Sequence, residues 1–389
     1  MGSFDARLDE AGVQRLALDL ADVPTPALIL DLDVLERNLA TMASRATERG
    51  IGLRPHYKTH QSPVIARWQR DAGAVGHTVA TLQEASTLLA EGFTDLTWAF
   101  PLILNRTGEV VALMRQYPDA TLRLLVDSAD AVTAIENEVG PKVGRPVHVW
   151  LEVDVGQHRS GVDPAGGTAT ELARRLNDVS GIVFDGLLCH SGHAYRTPGR
   201  TALAATSEGE RHTIVELAER FAAAGLDGLA RSIGSTPAMS AVGSLDGITE
   251  ARPGNYVFYD HTQVALGACA VTDCALTVVA SVISSQPGAE YCVVDAGALA
   301  LSKDPGPSWV TPTTFGEIFA DYRAGALDPE IRLTGLSQEH GVVSAPLPVG
   351  TRLRILPNHS CLVVPYFESY VAVRGDRVIA RIPIRHRRH

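Results

Sequence analysis

The chain has 389 residues, 45% of them hydrophobic, and a formal net charge of −10 at pH 7. This length allows two domains with substantial cores. The acidic balance excludes an extended basic surface for nucleic acid, and no apolar run reaches the ~18 residues that a membrane span needs. The five cysteines include no Cys-x-x-Cys pair and are too irregularly spaced for a disulfide framework. We therefore expect a cytoplasmic protein without nucleic-acid or membrane partners.

Short apolar runs alternate with helix-period segments between residues 51 and 251, which is the pattern of βα units around a parallel sheet. The predicted strands are 51–55, 75–79, 96–100, 122–126, 147–153, 182–188, 231–233 and 248–251. Eight strands close a (β/α)₈ TIM barrel, whose active site lies at the C-terminal ends of the strands. A doubly wound α/β sheet also accommodates this pattern, but no Gly-x-Gly-x-x-Gly follows the first strand.

The pattern changes after residue 253 to strands separated by turns. The predicted strands there are 274–284, 291–295, 352–356, 370–373 and 378–383. We therefore predict an α/β barrel domain over 27–252 and a mainly β domain over 253–383. The N-terminal residues 1–31 precede the eight predicted barrel strands, and we expect them to pack with the β domain.

Lysine is rare in this chain, which contains only Lys58, Lys142 and Lys303. Lys58 follows the first predicted barrel strand, where burial can lower the pKa of its amine. A neutral amine can form a Schiff base. The alternative is that Lys58 is a surface side chain at a strand end, with its ammonium group in water.

Glycine turns follow the seventh and eighth predicted strands, at 234–237 and 252–256. Their backbone N–H groups and hydroxyls suit a phosphate group. The first turn is also compatible with an ordinary helix N-cap followed by proline. A lysine and a phosphate site on one barrel suggest pyridoxal phosphate as the cofactor. The predicted cofactor contacts in these turns are Gly234, Ser235, Thr236, Gly254, Asn255 and Tyr256.

Two further polar segments follow the fifth and sixth predicted strands. Arg159 lies in the first, where its guanidinium can hydrogen-bond the cofactor ring or its phenolic oxygen. His190 lies in the second, together with Tyr195, and its imidazole can stack on a pyridine ring. The alternatives are a loop ion pair for Arg159 and a structural role for His190.

A possible metal pair, His359 and Cys361, lies in the β domain. If the segment is a strand, both side chains point to the same face and can bind one ion. A nitrogen and a sulfur ligand suit zinc, and two protein ligands leave positions open for water or substrate. The alternative is a buried cysteine beside an unrelated histidine.

Seven segments, taken in order, resemble one family, the fold-type III pyridoxal-phosphate enzymes, in the branch of the D-serine dehydratases and D-threonine aldolases. These segments are 25–31, 54–59, 154–161, 234–237, 253–260, 338–341 and 357–361. The resemblance covers most of the chain. It implies an alanine-racemase-like barrel with a β domain, assembled as a homodimer.

The resemblance also implies roles for the candidate residues. Lys58 holds pyridoxal phosphate covalently, and its freed amine removes the Cα proton of a D-amino acid. The turns 234–236 and 254–255 hold the phosphate. His359 and Cys361 bind a divalent ion that contacts the substrate's β-hydroxyl; zinc is favoured, with manganese or magnesium as alternatives. Catalytic or ring contacts are expected from Arg159, His190 and Tyr195, and Glu339 and His340 are near-site candidates without an assigned role.

We therefore expect a lyase that dehydrates a D-β-hydroxy-α-amino acid, such as D-serine or D-3-hydroxyaspartate, to a keto acid and ammonia. The His-x-Cys pair resembles dehydratases, whereas His-x-Asp resembles the aldolases, which release glycine and an aldehyde. An amino-acid racemase, a non-catalytic pyridoxal-phosphate carrier and an unrelated metal-dependent hydrolase are further alternatives. Apolar residues 362–367 follow Cys361 and favour a bulkier β-substituent, or pack in the core.

Overall fold

The structure is a computed structural model that describes residue 8 and residues 12–385. These residues form two compact units. The α/β unit contains residues 43–58 and 69–254, and the β unit contains the described residues up to 42, 59–68 and 255–385. The domain limits predicted from the sequence, 27–252 and 253–383, stay a prediction. Most of residues 1–11, which were predicted to pack with the β domain, lie outside the residues that the structure describes. No helix among the described residues is long and apolar enough to cross a bilayer.

Eighteen strands form within the described residues. They are β1 Gln14–Asp19, β2 Ala27–Asp31, β3 Gly52–Leu53, β4 His77–Val79, β5 Asp95–Pro101, β6 Thr121–Val126, β7 Val147–Val153, β8 Ile182–Cys189, β9 Ala230–Ile233, β10 Glu250–Ala251, β11 Leu276–Ser284, β12 Cys292–Val294, β13 Glu317–Asp321, β14 Ala326–Leu336, β15 Gly341–Val343, β16 Arg352–Leu356, β17 Ser369–Arg374 and β18 Arg377–Pro383. Strands β3 to β10 belong to the α/β unit, and the others to the β unit.

Several helices begin where a side chain accepts a hydrogen bond from a free backbone N–H group. Thr81 accepts one from the Glu84 N–H at the start of the helix Leu82–Ala90, and Asp260 accepts one from the Gln263 N–H at the start of the helix His261–Ala265. The helices are α1 Leu32–Glu48, α2 Pro63–Asp71, α3 Leu82–Ala90, α4 Thr107–Gln116, α5 Ala129–Ala134, α6 Gly140–Val143, α7 Gly167–Asp178, α8 Arg200–Ala223, α9 Thr236–Ala241, α10 His261–Ala265, α11 Ala298–Leu301 and α12 Ser360–Val363.

The α/β unit is built on eight parallel strands in the order β3-β10-β9-β8-β7-β6-β5-β4. Each of them overlaps a strand predicted from the sequence. The end strands β3 and β4 do not form a regular strand pair, so the barrel is partial. Their segments are connected by an isolated parallel bridge between His56 and Thr78 and by a hydrogen bond from Val75 N to the Leu53 carbonyl oxygen at 2.9 Å. β3 is short because Pro55, which follows it closely, has no N–H to donate to a neighbouring strand.

The β unit is an antiparallel sheet with one parallel pair, between β2 and β17. Its strand order is β1-β18-β17-β2-β11-β12-β15-β14-β13-β16, and an additional pairing of β11 with β16 closes the last six strands into a barrel. Strand β2 is buried along its whole length between β11 and β17. Its position places this N-terminal strand in the β unit.

Four strands of the β unit were not predicted from the sequence: β1, β13, β14 and β15. Strand β14 contains Asp328, Pro329 and Glu330, residues that are typical of turns rather than strands. Most of its side chains are exposed or half-buried. The hydrophobic pattern is therefore weak, and pairing with β13 and β15 stabilises the strand instead.

Gly186 allows strands β8 and β9 to approach closely inside the α/β unit. Its φ is +147°, and a Cβ atom added there would lie 2.1 Å from the carbonyl oxygen of Ala230. A contact this short cannot be relieved by a side-chain rotation, because the atom it meets is backbone. The position therefore requires glycine.

We predict that Gly186→Ala lowers the free energy of unfolding by about 2–4 kcal/mol, because the added methyl group forces the two strands apart. Gly209→Ala is the matched control, since Gly209 lies inside α8 and a Cβ there meets nothing within 4 Å. It should raise the stability by about 0.5–1 kcal/mol. Chemical denaturation of both variants measures the difference, and equal effects would contradict the prediction.

Candidate active site

Lys58 lies beyond the C-terminal end of β3, in a 3₁₀ turn of residues Tyr57–Thr59. The sequence predicted a strand as far as Pro55, but β3 ends at Leu53. The predicted burial of the amine is not observed, since the Lys58 side chain is exposed. An accessible amine at this end of a parallel sheet is suitably placed to react with a ligand.

His190 follows β8 and is electrostatically coupled to Lys58. Its Nδ1 atom lies 3.0 Å from the carbonyl oxygen of Gly234. Burial, followed by the positive charge of Lys58, lowers the pKa of His190 to about 3, and the charge of Arg159 acts in the same direction. The imidazole is therefore neutral at physiological pH. With Nδ1–H donating to Gly234, the Nε2 atom keeps its lone pair.

We predict that His190 stays neutral between pH 8 and pH 5. The unfolded chain protonates this ring near pH 6.5 and the folded chain near pH 3, so acidification between these values favours unfolding. Long-range proton–nitrogen NMR of histidine-labelled protein should show His190 ring signals that do not move in this interval. The His190→Gln variant assigns them, and a titration of these signals near pH 6.5 would contradict the prediction.

The turn after β9 is fixed by hydrogen bonds within the protein. The Gly234 N–H donates to Glu210 Oε1 at 3.3 Å. Ser235 caps α9, with its hydroxyl accepting a hydrogen bond from the Ala238 N–H at 3.3 Å. The ordinary N-cap predicted as the alternative is therefore present. Thr236 is the first residue of α9 and is buried.

Two buried residues, Glu210 and Arg252, hold the ends of β8 and β9 and the turns that follow them. Glu210 Oε1 also accepts a hydrogen bond from the Ser191 N–H at 3.1 Å. The Arg252 guanidinium donates to the carbonyl oxygen of Cys189 and to the hydroxyl of Ser232. Burial raises the pKa of Glu210 and lowers the pKa of Arg252.

Sequence reasoning gave no role to Glu210, although a signal was present. In α8 the buried side chains include Ser207, Glu210, Ile214 and Leu217, so a carboxylate occupies the apolar face. A glutamate at helical spacing among buried residues indicates a buried hydrogen-bond network.

Arg159 lies in the loop after β7 and is exposed. Glu152, inside β7, is buried; its Oε1 atom accepts a hydrogen bond from the Ser160 hydroxyl at 3.0 Å. Its Oε2 atom has no partner among the described residues. Burial raises the pKa of Glu152, with the Ser160 hydrogen bond and the Arg159 charge opposing the shift. Arg159 therefore influences both Glu152 and His190.

The other predicted residues fall in three places. Tyr195 is half-buried in a 3₁₀ turn, Gly192–Arg196, after β8. Gly254 belongs to the α/β unit, as the last residue of its segment 69–254. Asn255 and Tyr256 belong to the β unit, at the start of its segment 255–385, and both are buried. Glu339 and His340 are exposed in the turn between β14 and β15.

In the β unit, the candidate metal pair lies at the start of a helix and not on a strand. β16 ends at Leu356, His359 is the N-cap residue of α12, and Cys361 is the second residue of that helix. The strand prediction for this segment is therefore wrong, because Pro357 interrupts strand pairing. The two side chains come together through the helix start.

Each member of the pair has polar neighbours within the β unit. His359 Nδ1 lies 3.3 Å from Asp304 Oδ2. Cys361 Sγ lies 3.3 Å from the Thr59 hydroxyl and accepts a hydrogen bond from Asn255 Nδ2 at 3.6 Å. The imidazole and the thiol also hydrogen-bond each other. Thr59 is the residue that follows Lys58 in the chain.

A buried carboxylate, that of Asp260, fixes this segment. Its Oδ2 atom accepts hydrogen bonds from Ser360 N at 2.9 Å, Ser360 Oγ at 3.2 Å and Asn255 Nδ2 at 2.6 Å. Its Oδ1 atom caps α10. Because Ser360 stands between His359 and Cys361, these bonds hold the backbone that carries both side chains.

The electrostatics of the pair suit a bound cation. Burial raises the pKa of Cys361, but hydrogen bonds from His359 and Thr59 and the charge of His359 outweigh it, so the net pKa lies below the ordinary value. Burial lowers the pKa of His359, but Asp304 and Cys361 raise it well above normal. A cysteine sulfur and a histidine nitrogen form a donor set that fits zinc once the ring has lost its proton. Among the described residues, no group of three or more metal-ligating side chains is present.

Comparison with known proteins identifies the family. The N-terminal domain of alanine racemase matches residues 30–262, and a serine dehydratase domain matches residues 275–373. The chain belongs to the fold-type III pyridoxal-phosphate enzymes. The resemblance inferred from its seven segments is thereby confirmed.

Similarity extends over nearly the whole chain. A D-threo-3-hydroxyaspartate dehydratase from Delftia sp. is 40% identical over 370 residues, which cover 92% of this chain and 96% of that protein. A D-serine dehydratase from Dictyostelium discoideum is 29% identical over 386 residues, covering 93% of this chain and 96% of that protein.

Solved structures confirm the alanine-racemase-like fold. The Delftia dehydratase has a TM-score of 0.89 at 38% identity, covering 95% of this chain and all of that one (100%). A D-threonine aldolase from Filomicrobium marinum has a TM-score of 0.84 at 28% identity, covering 95% of this chain and 97% of that one.

Proposed function

We propose that this lyase dehydrates a D-β-hydroxy-α-amino acid, with D-3-hydroxyaspartate and D-serine as the favoured substrates, to a keto acid and ammonia. The 40% identity to a D-threo-3-hydroxyaspartate dehydratase supports this substrate class. The observation that carries the proposal is the hydrogen-bonded pair of His359 and Cys361, which offers nitrogen and sulfur ligands within three residues.

The cofactor proposal rests on the family and on the α/β unit. Lys58 is the residue that holds pyridoxal phosphate, and its free amine is the base for the proton on the substrate's Cα. When bound, the cofactor supplies an electron sink for the negative charge that develops at this carbon. His190, as a neutral ring, and Arg159 and Tyr195 are proposed to surround the cofactor ring.

The phosphate group of the cofactor is proposed to lie at the two glycine turns. Fixed turns suit this role, because donors that are already oriented lose little entropy on binding. The hydrogen bonds from Gly234 and Ser191 to Glu210 support such rigidity for the first turn. The residues proposed as cofactor contacts in these turns are Gly234, Ser235, Thr236, Gly254, Asn255 and Tyr256.

His359 and Cys361 are proposed to hold a divalent ion, with zinc favoured over manganese and magnesium because one ligand is sulfur. When bound, the ion supplies a Lewis acid for the substrate's β-hydroxyl. One solved D-threo-3-hydroxyaspartate dehydratase structure is a cysteine-to-alanine variant in the metal-free form, and this supports the proposal that a metal belongs to such a site. Burial raises the pKa of Cys361, but the hydrogen bonds from His359 and Thr59 and the charge of His359 outweigh it, which favours the thiolate form that binds metal.

Three wider features belong to the same proposal. The α/β unit functions as a complete (β/α)₈ barrel, supported by the bridge between His56 and Thr78. The enzyme is a homodimer, supported by the exposed apolar side chains of Leu299, Leu362 and Tyr366. It is cytoplasmic, supported by its five free cysteines.

Aldol cleavage to glycine and an aldehyde is the second candidate, because the D-threonine aldolase structure shares the fold over 95% of this chain. A racemase would not need a metal pair. A non-catalytic pyridoxal-phosphate carrier would not need the serine dehydratase domain that matches residues 275–373.

We predict that the metal-loaded enzyme converts D-3-hydroxyaspartate or D-serine to keto acid and ammonia, and that chelation abolishes this turnover until a divalent ion is restored. D-Threonine and D-phenylserine complete the substrate panel. Keto acid, ammonia and glycine are assayed separately in each reaction. Release of glycine and aldehyde would overturn the dehydratase proposal in favour of the aldolase, and full activity after chelation would contradict the metal proposal.

A further inference from the structure

Asp304 lies in the segment between α11 and β13 and has a carboxylate with two distinct partners. Its Oδ1 atom accepts a hydrogen bond from the Gly306 N–H at 2.8 Å, which is a local turn bond. Its Oδ2 atom lies 3.3 Å from His359 Nδ1. One oxygen therefore fixes the carboxylate in its own turn, and the other faces the imidazole.

The backbone of Asp304 is held independently by the residue next to His359. Asn358 is 1% exposed, and its Nδ2 atom donates to the carbonyl oxygen of Asp304 at 2.9 Å and to that of Thr314 at 2.7 Å. Asn358 Oδ1 is also engaged, at 3.1 Å from His261 Nδ1. The position of Asp304 thus does not depend on its contact with His359.

This arrangement differs from an exposed surface ion pair. The side chains of His359 and Asp304 are 27% and 23% exposed, and backbone bonds hold both of their segments. Flexible surface pairs contribute little because ordering two mobile side chains offsets the attraction. Here both groups are already ordered, so the contact can determine the orientation of the ring.

The orientation of the imidazole decides which nitrogen can bind an ion. In a neutral ring, one nitrogen carries the proton and the other has the lone pair. A carboxylate that accepts the Nδ1–H leaves Nε2 as the ligand and makes it more basic.

We propose that Asp304 is a positioning residue for the metal pair: its Oδ2 atom accepts the Nδ1–H of His359 and thereby directs Nε2 towards the ion. This inference rests on the proposed metal site but assigns a residue outside the His-x-Cys motif. Asp304 does not contact the ion. It fixes the tautomer and rotation of the ring before an ion arrives.

The test compares Asp304→Asn with Asp328→Asn in the full-length holoenzyme. Asn has nearly the same volume as Asp and can keep the turn bond to Gly306, but it removes the charge that orients the ring. Asp328 is the matched control, because its Oδ1 atom also accepts local backbone hydrogen bonds, from the Glu330 and Ile331 N–H groups at 2.9 Å, within strand β14.

We expect Asp304→Asn to weaken zinc binding by about 10- to 100-fold, measured by competition with a chelator of known affinity. The cobalt-loaded variant should also show shifted visible absorption bands, because the ring that binds cobalt has turned. Asp328→Asn should leave zinc affinity and the cobalt bands unchanged. Chemical denaturation of the three apo proteins establishes that any difference is not a loss of folding.

Three results would overturn the proposal. Zinc affinity of Asp304→Asn within about twofold of the wild type shows that the carboxylate does not position the ring. Equal weakening in both variants indicates a general effect of turn stability. If the wild type itself binds no divalent ion stoichiometrically, the proposed metal site fails and this inference fails with it, whereas the first two results leave the metal site intact.

Discussion

The candidate metal site depends on one buried charge, the carboxylate of Asp260. A buried carboxylate is costly unless several donors replace the water that it loses. Asp260 receives N–H or O–H groups from Asn255, Gln263 and Ser360, and through them it fixes the start of α10, the start of α12 and the residue after Gly254. Because Ser360 separates His359 from Cys361, a rigid bond at that one residue sets the geometry of both. Asn255 belongs to the same network of the β unit, since its amide donates to both Asp260 and Cys361.

In the α/β unit, buried polar side chains also hold backbone segments in place. Glu210, on the buried face of α8, accepts the backbone N–H groups of Ser191 and Gly234, and buried Arg252 donates to the Cys189 carbonyl. In both units, the candidate side chains lie in segments that follow strands, and a buried carboxyl group accepts hydrogen bonds from the backbone of those segments. Such an arrangement gives a reactive loop the rigidity that loops ordinarily lack. His190 is neutral because the ring is desolvated by burial and because the positive charges of Lys58, Arg159 and Arg252 act on it.

The eight parallel strands were predictable because buried strands and helices leave strong periodic patterns in the sequence. Lys58 and the His359–Cys361 pair were also recognisable as candidates, since rare residues in short motifs are visible without a structure. The geometry of the pair was not predictable from the sequence, because the helix start at Ser360 depends on Asp260, which is 100 residues away in the chain. Asp304 left no signal for the same reason: its partner is distant in sequence. Glu210 was detectable as a carboxylate on the apolar face of α8. Arg252 lies in the turn predicted after the eighth strand, but its structural role depends on partners that are distant in the sequence and could not be predicted.

The central claim of this account is that Lys58 carries the cofactor. Borohydride reduction of the holoenzyme makes the bond between a lysine amine and pyridoxal phosphate permanent, and peptide mass mapping then locates the modified residue. With only three lysines in the chain, the assignment is unambiguous. The account predicts a pyridoxyl group on Lys58 alone. A modification on Lys142 or Lys303, or an unmodified Lys58 in active enzyme, would contradict it.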